Sequence, residues 1–490
     1  MFSTAKPIIV ALLMAVVGAT GAAANDRTLT AKAAAAHQDV RGAIAAIDAW
    51  VEARRIYDDI PGISAGVVFK DRLIWSKGYG VSNLETRRPV DADTLYSICS
   101  ISKLFTAISV MQLRDAGKLA LRDPVASHLD WFDLKQTHAH SGPITIEGVL
   151  THASGLPRES DFSYWRAPDF PFPTREEMIE RLDAQETLYP ANQYFQYSNL
   201  GLTLAGEIVE ARSGQPYADY VEENILEPLG LSQTRPFYPE RLRGEGLAIG
   251  YTGFDRSRAR REVEPFFTRG ITAAAGFTSS LNDLARFAIW QFELLQNKDA
   301  GVLAPNTLRE MHRVHWIDPD WETTWGLGFS VNRVGDKTVV GHGGGCPGYI
   351  TQFKMIPDLQ IAAIVLTNAG DGPASNLSSN ILKTMATSLQ KASTTSKKRT
   401  PDLSKYEGNY SIDPWGGEFA VRQWGDHLVA INLPSDDLEG AMTKLKRERG
   451  DTFVRLADDG TPREPWAFEI GDDGRAARVL VHSQYSDRIK

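Results

Sequence analysis

Strand-forming segments stand at both ends of a long helical stretch, and this bracketing narrows the possible folds most. Ile63–Lys70 and Leu73–Tyr79 are rich in β-branched and aromatic residues and meet at a turn, Asp71-Arg72. Lys337–Val340, Tyr349–Ile356 and Ile361–Thr367 read the same way much later, with a turn at Pro357-Asp358. Strands must pair. The pattern therefore predicts one antiparallel sheet made from both ends of the domain, with helices packed on it, an α/β (α+β) architecture with a helical subdomain. Thr94–Gly117 reads as an approach and a helix with Leu104, Phe105, Ile108, Met111 and Leu113 as its buried stripe. Thr278–Leu295 reads as another, capped by Ser280 or Asn282. An Ala-rich helix from Ala31 to about Asp59 precedes the first strand and is broken by Pro61-Gly62. The aromatic loop Pro157–Pro173 is either a packed cover or a substrate-facing wall.

The ends of the chain differ from this region. Lys6, the apolar run Pro7–Gly18 and the small residues Ala22-Ala23-Ala24 have the order of a secretory signal, predicting a signal peptide over 1–24 and export to the periplasm or medium. The run is shorter than the ~20 residues a spanning helix needs, so no membrane span is expected after cleavage. The main domain is expected over 25–387. From Ser388 to Asp402 the composition turns to Ser, Thr, Lys and Arg and predicts a linker over 388–402. Residues 403–490 show short alternating runs such as Leu428-Val429-Ala430-Ile431 between Gly, Asp and Pro, a small all-β barrel or sandwich. A net charge of −8 over 490 residues gives no basic surface, so neither nucleic acid nor an anionic membrane is expected as partner.

Two serines compete as nucleophile. Gly62-Ile63-Ser64-Ala65-Gly66 has the G-x-S-x-G pattern, but that elbow needs a strand before it and a helix after it. Here Pro61 precedes and Val67-Val68-Phe69 follows, so Ser64 is a strand residue. Ser100-Ile101-Ser102-Lys103 is different, because it opens an amphipathic helix. At i and i+3 the hydroxyl and the amine share a face. The helix N-terminus adds backbone donors and positive potential, and a neighbouring amine can take the serine proton. The plain alternative is a capping serine beside a solvated lysine. Tyr197-Ser198-Asn199 stands at the start of a further helix and can face the same cleft. Gly341-His342-Gly343-Gly344-Gly345 ends a strand, where glycines allow close backbone approach or mark a simple bulge. The histidine pairs His138/His140 and His312/His315 lack a third ligand at an instructive spacing, so neither metal nor cofactor is expected.

Taken in order, Ser100/Lys103, Tyr197/Asn199 and His342-Gly343-Gly344 resemble the three motifs of the serine β-lactamase and penicillin-binding protein superfamily. The resemblance is nearest the branch of class C β-lactamases, D-Ala-D-Ala carboxypeptidases and esterases. Leu150–Pro157 and Ala275–Ser279 also look typical of that family, and the C-terminal β region resembles a lipocalin-like domain. The resemblance implies an acyl-enzyme on Ser100, with Lys103 and Tyr197 sharing its proton and a neighbouring ammonium favouring the tyrosinate. It makes Asn199 a group that orients substrate or Lys103, and places His342, Gly343 and Gly344 along the substrate. It also makes the N–H groups of Ser100 and Gly345 the oxyanion hole.

One departure matters. His342-Gly343 stands where penicillin-recognising members carry lysine and a hydroxyl residue, which points toward esters, amides or short peptides. The open alternatives are a β-lactamase or D-stereospecific peptidase, and a non-catalytic sensor of cell-wall peptides. Two donors aimed at one oxygen bring their neighbours Cys99 and Cys346 close to the ~5.5–6 Å that a disulfide spans. Some class A β-lactamases resemble this, so a Cys99–Cys346 disulfide is expected, the alternative being two buried thiols.

Overall fold

The computed structural model describes residues 29–298, 301–395 and 400–490. The expected signal peptide lies outside the described residues. Among those described, no helix is long and apolar enough to cross a membrane.

The main sheet has eight strands, all neighbours antiparallel. Its order is Arg72–Gly80, Gly62–Phe69, Ile361–Thr367, Tyr349–Ile356, Lys337–Cys346, Ser330–Val334, then the short Thr324–Trp325 and Trp316–Ile317. The two ends of the domain meet where Gly62–Phe69 pairs with Ile361–Thr367, in register Ile63↔Thr367 through Phe69↔Ile361. Both strands are buried along their whole length, because each face is covered. Ile63, Ala65, Val67, Ala363 and Val365 face the helices Gln38–Tyr57 and Ala374–Thr394. Val68, Ala362, Ile364 and Leu366 face the other way, toward Leu281–Leu295 and the helical middle that carries Ser100. Two covered faces explain the near-continuous apolar runs.

Three local expectations are corrected. The first helix breaks at 36–37, where the side chain of His37 accepts from the N–H of Asp39 and caps a new helix, Gln38–Tyr57. Thr278–Ser280 is a strand paired with Leu95–Ser97, and the helix begins at Leu281 with Ser280 as its cap. The helix Ala374–Thr394 runs through the first half of the expected 388–402 linker, because Leu389 and Ala392 continue the buried stripe of Ile381 and Met385. The domain boundary at 387 therefore falls inside a helix.

The C-terminal region is an up-and-down antiparallel barrel of eight strands, from Gly408–Ser411 to Gln484–Asp487. It is nearly closed by the bridge Tyr410↔Arg488. Its interior is filled by Tyr406, Tyr410, Phe419, Phe453 and Phe468. The barrel docks on the helix Gln38–Tyr57: Trp424 covers Gly42 so closely that an added Cβ would lie 2.6 Å from its ring, and the Trp50 indole donates to Ser435 O at 2.8 Å.

Candidate active site

The Ser100 turn is held from several sides. After the strand Leu95–Ser97, Ile98 donates to Phe277 O at 2.9 Å. The chain then turns through Cys99 with φ +50, a left-handed conformation that a non-glycine residue adopts only under constraint. Ser102 Oγ supplies part of that constraint, donating to Cys99 O at 2.5 Å and accepting from Phe277 N. Cys99 is disulfide-bonded to Cys346, with Cα atoms 5.8 Å apart. Ser100 thus sits half-buried on a single 3-10 turn at the mouth of the helix Ser102–Asp115.

Lys103, one turn on, is fully buried. Its Nζ lies 3.1 Å from Ser100 Oγ, 2.7 Å from Asn199 Oδ1 and 2.7 Å from Ala274 O. The last two are carbonyl oxygens and only accept, so the amine must donate to both. Burial pushes its pKa well below the usual lysine range; Glu159 opposes this and Arg158 adds to it. In its neutral form the amine, with both N–H groups on carbonyls, has its lone pair left for the Ser100 hydroxyl.

Asn199 is oriented in turn. Its Nδ2 donates to Glu159 Oε1 at 2.7 Å, and Glu159 also accepts from the Tyr164 hydroxyl. Tyr164, Phe170 and Phe172 of the aromatic loop are buried, so that loop is packed cover at these rings. Tyr197 stands immediately before the helix Asn199–Ser213, which Ser198 caps by accepting from Gly201 N. The neighbouring Ser100 lowers the pKa of its phenol, yet burial outweighs this and raises it above the usual phenol range. The expected tyrosinate is thus disfavoured, because desolvation outweighs the nearby cations and Lys103 is itself driven toward neutrality.

The walls are aromatic. His152 stacks on Tyr197 with ring centres 4.3 Å apart, and Trp325 stands edge-on to His152 and His342. His152 is buried in a left-handed conformation, φ +59, and its Nδ1 accepts from Ser198 N at 3.0 Å, which leaves its proton on Nε2. His342, on the strand Lys337–Cys346, donates from Nδ1 to Gly343 O at 2.6 Å. Burial, aided by Lys103, pushes its pKa down to about 3, so it is uncharged. Gly344 lies where an added Cβ would be 2.1 Å from Ile98 O, so this strand passes directly beside the Ser100 turn. Together with the disulfide, that contact brings the Gly345 segment alongside Ser100.

A family model described as Beta-lactamase matches residues 47–384, well over half of the chain. The chain belongs to this family. It is 26% identical over 312 residues to penicillin-binding protein 4* of Bacillus subtilis, covering 60% of this chain and 65% of that one. It is 27% identical over 327 residues to the unguisins hydrolase of Aspergillus campestris, covering 63% and 58%. The chain thus spans between about half and two thirds of these curated relatives. A solved octameric penicillin-binding protein homologue from Pyrococcus abyssi superposes with a TM-score of 0.62 at 26% identity, covering 90% of this chain and 99% of that one. The family match ends before the barrel, and the lipocalin likeness has no further support from it.

The structure brings Ser100, Lys103, Tyr197, Asn199 and His342 together. It leaves the other candidates outside: Ser64 Oγ is buried against Asp91 O, His312 bonds Gln291 and His315 bonds Glu147. Among the described residues no cluster of His, Cys, Asp or Glu is arranged to hold a metal ion. The sequence reading missed Arg158, Glu159, Trp325 and the part played by His152. The signal for His152, Arg158 and Glu159 was their place in or just after the Leu150–Pro157 stretch; Trp325 carried none.

Proposed function

We propose that this protein is a serine hydrolase that cleaves esters, amides or short peptides through an acyl-enzyme on Ser100. The observation that carries this reading is the Lys103 amine, 3.1 Å from Ser100 Oγ with its two donor contacts both on carbonyl oxygens. Lys103 takes the Ser100 proton as Oγ bonds to the acyl carbon. Such a positioned base contributes ~10²–10⁴-fold. The Ser100 and Gly345 N–H groups receive the developing oxyanion, each worth on the order of 10²–10³ in rate. The Tyr197 phenol, protonated and beside Lys103, gives its proton to the leaving group and regains one from Lys103. Water then attacks the acyl carbon, and the same pair handles its proton. The uncharged His342 favours substrates with no anion at that strand. The disulfide supports export, since such bonds persist in oxidising compartments.

A panel of p-nitrophenyl esters, D-amino acid amides and nitrocefin, with fluorophosphonate labelling, tests this. Labelling of the wild type that is abolished in S100A, with turnover lost in the same variant, is the expected result. Unchanged turnover in S100A would refute it.

A further inference from the structure

We infer that Arg158 selects substrates that carry an anionic group, such as a carboxylate, near the scissile bond. This deepens the hydrolase reading and rests on it. His342 and His152 are buried with their pKa values pushed down, and Lys103 is fully buried, so none of these three offers an open charge. The charged side chains that act on Tyr197 are Arg158 and Glu159. They point in opposite senses. Glu159 is mostly enclosed, with one oxygen taken by Asn199 and the other by Tyr164. Arg158 is the open member, its side chain 60% exposed and its guanidinium 4.9 Å from the centre of the Tyr197 ring.

Arg158 is also placed, not merely near. Its carbonyl accepts from Asn199 N at 2.7 Å and Leu200 N at 3.2 Å, so its main chain is anchored to the start of the helix that carries Asn199. Its Nε lies 3.3 Å from Glu159 Oε1 and its guanidinium lies against Tyr197, contacts that restrain a side chain most of which stays exposed. A guanidinium held this way presents a planar fork that matches a carboxylate. It stands beside the Tyr197 ring, and Lys103 Nζ, 3.1 Å from Ser100 Oγ, lies 4.9 Å from the centre of the same ring, so an anion paired with Arg158 lies within a short span of the reacting carbonyl.

The test compares p-nitrophenyl hemisuccinate, which is anionic, with p-nitrophenyl butyrate, which is neutral, in the wild type, R158Q and R158E. The ratio of kcat/KM, anionic over neutral, is expected to fall about tenfold in R158Q, the size of a partly screened ion pair, and further in R158E. The loss should lie in KM, and the wild-type ratio should shrink as salt rises. A ratio that is unchanged in both variants overturns the inference, because Arg158 then only supports Tyr197. Equilibrium binding of the two esters to S100A separates this result from failure of the hydrolase reading. Anion preference in S100A that disappears in S100A/R158Q upholds the site even without turnover, and equal binding of both esters to S100A refutes it.

Discussion

Lys103 has a carbonyl on either side and a serine in front, and in the proposed mechanism its protonation decides whether Ser100 can be activated. Glu159 is the group that holds its pKa up against burial. Glu159→Gln keeps an acceptor for the Asn199 amide and removes the charge. The ammonium then becomes less favourable, the amine stays neutral to lower pH, and the acid limb of kcat/KM on the neutral butyrate ester should move to lower pH. An unmoved limb would show that Glu159 does not feel Lys103. His342 makes a stability prediction of a different kind. Its pKa is about 3 when folded, below that of a free imidazole. Below the free value the unfolded chain binds a proton that the folded one refuses, so stability falls as pH drops toward 3 and is flat above the free value. His342→Asn should remove up to ~1.4 kcal/mol of that loss per pH unit, read by urea unfolding at pH 5 and pH 7. An equal acid loss in both proteins would contradict the assignment.

At the scale of elements, the site is a junction between the Ser100 turn, the start of the helix Asn199–Ser213 and the strand Lys337–Cys346. The disulfide and Gly344 hold the first and last together. Gly344→Ala should cost about 1–3 kcal/mol and most of the activity, since its Cβ would meet the carbonyl of Ile98, two residues before the nucleophile. Cys346→Ser should lower stability by ~3–5 kcal/mol, because the closed loop is long, with a sequence separation of 247 residues. Thermal unfolding with and without reductant checks the second, and the wild type should lose what the variant lacks. The sheet was legible in the sequence because strands buried on both faces are written as continuous apolar runs. Ser100 and Lys103 were legible because one helical turn makes i and i+3 neighbours. Arg158 and Glu159 were not, because the bonds from Asn199 N and Leu200 N to Arg158 O and from Asn199 Nδ2 to Glu159 bring that loop to Lys103 and Ser100, and no spacing along the chain records such contacts. The helix through Thr394 was hidden for another reason: its Ser, Thr and Lys residues mask two buried positions, Leu389 and Ala392.

For the whole molecule, the question is whether the barrel is a separate body or a part of one folding unit. Ala420, Val429, Ile431, Leu433 and Leu438 from the barrel region share one buried cluster with Trp50, Ile47 and the sheet residues Ile63 and Val365. The polar contacts run the same way, from the Trp50 indole to Ser435 O and from Asn376 and Asn380 to Asp436 O. This contact lies on the helix Gln38–Tyr57, on the sheet face opposite the one packed against the Ser100 helix. The barrel therefore stabilises the sheet without covering the cleft, and stability and catalysis should separate there. Gly42→Ala places a methyl against Trp424 and should cost about 1–3 kcal/mol, with kcat/KM on small esters unchanged. Ending the chain at 402 should do more. It uncovers apolar surface on that helix, and the truncated protein should aggregate or melt well below the full chain. Differential scanning calorimetry decides between the two pictures. One cooperative transition, shifted down in G42A, is expected. Two independent transitions, with a truncated form that melts as the full chain does, would show that the docking contributes nothing and that the barrel folds as a tethered neighbour.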